Sequence, residues 1–209
     1  MLLDHLHFIF VRHFWPALDV AILFAVGLFA AVPVIRYRLE AVKWLPWKIF
    51  RIVVRLMGEG GIARTAVVIW LFNSVAIFIY MASGFHSLLP KLFAVWTGLN
   101  IAVLTGGIEK EKDPVLRRLI RPAEDGWRVP GGILLLCGLL VLVLELPCFW
   151  FAVGMGIRMG HRVQAGAPYA EQLLRVAVPY AAVIVPGLLV SAIAEAIAIR
   201  SAPTRTGEE

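Results

Sequence analysis

VLVLELPCFWFAVGMGIRMG, residues 141–160, is the stretch on which the reading of this chain turns. It is apolar enough to sit in lipid, yet Glu145 stands inside it and Pro147 follows two residues later. A charge at the centre of a bilayer costs about 2.5 to 3.5 kcal/mol on insertion scales. Glu145 must therefore take a proton, pair with a donor on another helix, or line a wet cavity. Pro147 removes a backbone donor and its ring clashes with the carbonyl of Val143, which predicts a break or kink. Freed carbonyls beside a carboxylate form a polar pocket in lipid only when other protein surrounds them. Two readings follow: an ion, proton or ligand site, or a structural kink whose Glu is tied to Asn73 or to another helix.

The surrounding chain supplies the context. Of its 209 residues, 60% are hydrophobic, and the mean hydropathy is +0.83. The apolar residues gather in blocks too long for the core helices of a soluble domain. Five membrane helices are expected at about residues 17–35, 62–83, 88–105, 129–159 and 173–199. They form one all-α membrane domain over residues 1–209. The first would open with Pro16 at its first helical position and Trp15 at interfacial height. The fourth is about 45 Å long as one helix, beyond a hydrocarbon core of about 30 Å, so it must tilt, kink or protrude. The fifth carries Pro179 and Pro186 inside and Glu195 near its end.

Between the first two blocks, KWLPWKIFRIVVRLM (43–57) places Lys48, Arg51 and Arg55 on one helical face, with tryptophans and aliphatics over most of the rest. This pattern predicts an amphipathic helix in the headgroup layer, its cations toward lipid phosphates. The net charge of +6 is read the same way, as cytoplasmic connections rather than nucleic-acid contacts. Seven Lys or Arg residues lie from Arg36 to Arg64, six from Glu109 to Arg128, and none from Gly84 to Pro90. The two basic connections should face the cytoplasm, with the N-terminus outside and the C-terminus inside. Arg158, Arg162 and Arg175 then fall outside, unless Pro147 splits the fourth block into a re-entrant hairpin. The connection GGIEKEKDPVLRRLIRPAEDGW (106–127) is expected to be solvated, with a short helix after Pro114.

Gly156 and Gly160 form a small-xxx-small pair that admits close backbone approach, and Gly154 would broaden the same surface. Arg158, on a different face, would snorkel to the interface. Glu195 would pair with a neighbouring helix, since Arg200 is within only loose reach. Asn73 can hydrogen-bond across helices. Cys137 and Cys148, about 16 Å apart along one helix, are too distant for a disulfide. The Asp4, His5, His7, His13 cluster diverges on a helix, so no metal site is expected. No GxSxG, HExxH, Walker A or GxGxxG pattern occurs, so neither a catalytic residue nor a cofactor is expected.

ELPCFWFAVGMGIRMG resembles the signature of the stage II sporulation protein M family, in which a Glu-Leu-Pro step precedes a Gly-x-Arg-x-Gly run. Glu145, Leu146, Pro147, Gly156, Arg158 and Gly160 match it, Glu195 in LLVSAIAEAIA corresponds to the acid of the last helix, and Asn73 and Gly84 lie in a looser match. The likeness covers roughly residues 62–200. It departs where relatives often carry His-Gly before the Glu, since Val141 to Leu144 are apolar here, and where Ser74 stands in place of a second Asn. The resemblance implies a polytopic protein of the cell membrane without known catalytic activity. The sporulation member organises peptidoglycan-degrading partners during engulfment. The expected role is thus a scaffold for other membrane or envelope proteins, or for a second copy of itself, among membrane lipids. A transporter subunit with a midplane site at Glu145 and Pro147 is the alternative.

Overall fold

The computed structural model describes residues 2–58, 60–108 and 130–201, and every regular element among them is helical. The helices are α1 (Leu2–Arg36), α2 (Glu40–Met57), α3 (Ile62–Ala82), α4 (Leu88–Ile108), α5 (Gly131–Gln164), α6 (Tyr169–Pro179) and α7 (Val185–Ser201). A π-helical turn, Tyr180–Ile184, joins α6 to α7. Five helical stretches are long and apolar enough to cross a membrane: Asp4–Arg36, Ile62–Ala82, Leu88–Thr105, Gly132–Gln164 and Tyr169–Ser201. The helix expected after Pro114 lies outside the described residues.

Two expectations are corrected. The first span starts about fifteen residues early, which places Pro16 inside α1 rather than at its first position. A proline there leaves the carbonyl of Arg12, four residues back, without its helical donor. Arg158 on α5 donates its Nη1 to that carbonyl, so the helix continues through the proline. The fourth block is not split: α5 stays α-helical from Gly131 to Gln164, through Pro147. The irregularity falls instead in the fifth block, between its two prolines. Pro186 cannot donate to Ala182 and crowds that carbonyl. The backbone answers by widening, and Val185 N–H bonds the carbonyl of Tyr180, five residues back. Single π turns of this kind inside α-helices are frequent at functional sites.

The spans alternate in direction. At one end, Phe10 of α1 meets Phe151 of α5 edge to face, and Ser87 Oγ donates to Gln164 Oε1 at 2.9 Å. That end holds the Gly84–Pro90 turn and the α5–α6 turn. At the other end, Arg200 of α7 donates from Nη2 to the carbonyl of Gly58 at 2.8 Å and from Nε to Thr65 Oγ1 at 2.9 Å. Both basic connections leave from this second end. Arg158, Arg162 and Arg175 therefore sit opposite them, as the single-span reading expected, and the re-entrant hairpin is excluded.

The core lies where α1, α3, α5 and the last span meet, around Val20, Ile77, Met81, Val153, Met155 and Leu188. α1 and α4 share the most extensive contact. Gly27 and Gly98 make it, since a Cβ on either would strike the other helix's backbone at Val95 or Phe24. α2 packs Trp47, Val54 and Met57 inward, while Trp44 stays exposed with Lys48 Nζ 4.7 Å from its ring centre. Lys48, Arg51 and Arg55 share the exposed side.

Candidate functional site: a polar tie inside the membrane bundle

Glu145 meets polar side chains from two other helices. Its Oε1 accepts from Asn73 Nδ2 of α3 at 3.1 Å, and its Oε2 accepts from Ser191 Oγ of α7 at 3.3 Å. Both carboxyl oxygens are engaged, so the group meets the requirement that a polar atom in lipid find its partner within protein. Glu195, one turn beyond Ser191, lies in electrostatic range of Glu145. Three spans thus converge on one acid, near the middle of α5.

Neighbouring bonds hold the surrounding backbone. Tyr180, in the π turn, donates its hydroxyl to the carbonyl of Ser74, the residue after Asn73. Trp70, one turn before Ser74, donates Nε1 to the carbonyl of Val185 at 3.1 Å. Gly187 lets α7 close on α5, because a Cβ there would stand 2.8 Å from Cys148 Sγ. The proline-bounded turn therefore packs beside the Glu145 tie, held to α3 on either side of Asn73. Ser74 Oγ and Trp150 Nε1 remain buried without a hydrogen-bond partner.

The glycines of α5 serve two neighbours rather than one surface. A Cβ at Gly156 would stand 2.6 Å from the carbonyl oxygen of Met81 on α3, and Gly160 abuts Ser87. Gly154 instead faces α1, where a Cβ would lie 2.9 Å from the backbone nitrogen of Ala17. All three contacts are internal to the chain, so this ridge is helix packing. Arg158 does not snorkel; it is half-buried against α1. Glu195 and Arg200 do not pair, because Arg200 is turned to Thr65 and Gly58.

The structure thus brings Glu145, Asn73 and Glu195 together and places Pro147 beside them. Arg158 lies about 20 Å further along α5, and Lys48, Arg51 and Arg55 stand at the opposite end of the bundle on α2. Sequence reasoning missed Ser191, although SxxxE spacing puts it on the same helical face as Glu195. It also missed the Arg200–Thr65 joint and the Gly27–Gly98 contact, for which glycine at an apolar position is a weak signal. Among the described residues, no group of three or more His, Cys, Asp or Glu side chains could hold a metal ion. Cys137 and Cys148 are free thiols.

These features define the class: a multi-pass, all-α membrane protein whose polar centre is shared among three spans. No family model, curated protein or solved structure matches the chain.

Proposed function

We propose that this protein is an integral membrane scaffold that holds other membrane or envelope proteins, in the manner the likeness to the stage II sporulation protein M family implies, with its basic end in the cytoplasm of the cell. The observation that carries this reading is the engagement of both Glu145 oxygens by Asn73 and Ser191. An acid used up in joining three helices supports a rigid frame better than a receptive site.

With the α5 glycines spent internally, partners would meet the first half of α5. That half is open: Leu135 is 77% exposed, and Leu139, Leu142 and Val143 are all exposed. Lipid or a partner helix covers such a surface. A photo-crosslinking residue at Leu135 or Leu142, activated in native membranes, is expected to yield discrete adducts with a second protein or a second copy. Adducts with lipid alone would count against the scaffold.

One observation favours a second reading, a transporter subunit. The π turn and its two prolines pack beside a buried acid, and interrupted helices at the midplane commonly form transport sites. In liposomes, that reading requires proton or solute flux that Glu145→Gln lowers. Equal, background-level flux in both proteins removes it.

A further inference from the structure

The end of the bundle remote from the basic connections carries a concentration of cations that the Glu145 tie does not use. Arg158 of α5, Arg175 of α6 and Arg12 of α1 all lie in electrostatic range of Arg162 of α5. Among the described residues, the only carboxylate paired with any of them is Glu171, 2.7 Å from Arg175 Nη2. Four guanidinium groups facing one acid repel each other unless an anion joins them. They rim a cleft with a partly apolar wall that includes Phe8, Met155 and Val176.

A second, independent feature points into that cleft. His13 lines it, is only 3% exposed, and has neither ring nitrogen hydrogen-bonded. A buried imidazole normally satisfies at least its N–H. Here the ring lies beside Phe8 and faces Arg158, Arg162 and Arg12. It offers a donor that a single water in the cleft can relay to whatever the arginines hold. The other polar groups are partly committed: Arg158 caps the Arg12 carbonyl, and Arg162 Nη1 donates to Gln172 Oε1 at 3.2 Å. Each guanidinium has five N–H donors, so donors remain for a ligand.

We propose that Arg12, His13, Arg158, Arg162 and Arg175 form a site for a phosphate group, carried by an anionic lipid headgroup or free in solution. Planar guanidinium forks match phosphate oxygens in pairs. Basic pockets between membrane helices are suited to lipid phosphates. The interior of the cleft is only about 10 Å³, room for about one water. The phosphate therefore rests in the mouth, on the arginine rim, with acyl chains free to lie along the exposed Phe10 and Phe14 of α1. This site is separate from the cationic face of α2, which is at the other end of the molecule.

The test uses full-length protein in neutral detergent, titrated with phosphatidylglycerol, bound lipid being counted by native mass spectrometry. Arg12 and Arg175 are exposed and lie outside the buried core cluster, so Arg12→Gln/Arg175→Gln should fold. That variant is expected to bind the lipid about tenfold more weakly, from the loss of charged hydrogen bonds. Arg12→Lys/Arg175→Lys should retain most of the affinity, and Glu171→Gln should increase it by removing the competing carboxylate. Displacement of the lipid by inorganic phosphate would identify the phosphate group itself as the ligand; resistance to displacement would assign the site to lipid. The proposal is overturned if the Gln pair binds like wild type while melting at the same temperature. It is equally overturned if Lys48→Gln/Arg51→Gln/Arg55→Gln removes the binding and the Gln pair does not.

Discussion

Gly156→Leu is expected to yield little folded protein in detergent extracts, while Gly138→Leu elutes and melts like wild type. Both residues are glycines of α5, and hydropathy does not distinguish them. Their surroundings do. A Cβ at Gly156 would lie 2.6 Å from the carbonyl oxygen and 3.0 Å from the Cα of Met81, whereas one at Gly138 meets nothing within 4 Å. The contact is reciprocal, since a Cβ at Gly84 would strike the carbonyl of Gly156. Backbone faces backbone across this seam, so no flexible side chain can yield. Overfilling a packed core ordinarily costs about 1 to 3 kcal/mol, and leucine here must push two helices apart. Fluorescence-detected size exclusion with a thermal ramp reads the difference. Equal melting of the two variants would show that the α3–α5 seam is looser than described.

Asn73→Leu is expected to destabilise the protein more than Glu145→Gln, and the double change Asn73→Leu/Glu145→Leu less than the two single leucine changes add up to. Glutamine keeps an acceptor for Asn73. Leucine at 73 strips Glu145 of one of its two donors and leaves it to Ser191. A buried acceptor deprived of its partner costs about 1 to 3 kcal/mol, whereas removing both partners returns part of that cost. Hydrogen bonds between membrane helices average about 0.6 kcal/mol, so the single changes should exceed that average only if the tie is desolvated. Midpoints of unfolding in mixed SDS micelles give the four values, and the leucine cycle gives the coupling. Strict additivity would mean that the two residues do not interact.

The number of spans was legible because transfer to lipid sums over neighbouring residues, and a run of about twenty apolar side chains declares itself without reference to anything else. Glu145 was legible as a group in need of a partner, and Asn73 as one candidate for it. Where the reading failed, the missing information was in another helix. Pro16 looked like a helix start because a proline deep in a helix strands a carbonyl. That carbonyl is capped by Arg158, 146 residues away. Pro147 looked like the break because it sits beside the acid, yet α5 passes through it. The widened turn formed instead where Pro179 and Pro186 bracket the last span. Gly154 and Gly156 looked like one face because they are neighbours in the chain, but two residues of helix rotate them toward α1 and α3.

By itself, then, the sequence determined a helical membrane protein with five spans, an amphipathic helix between the first two, and a buried acid in need of donors. Hydropathy and helical period are properties of a segment, and each segment carries them alone. Only the tertiary structure decided that Ser191 is the second donor to Glu145 and that the α5 glycines face inward. It also decided that Arg12, His13, Arg158, Arg162 and Arg175 converge at one end of the bundle. These are relations between helices, set by which backbones can approach and which polar groups are left to satisfy one another once water is gone.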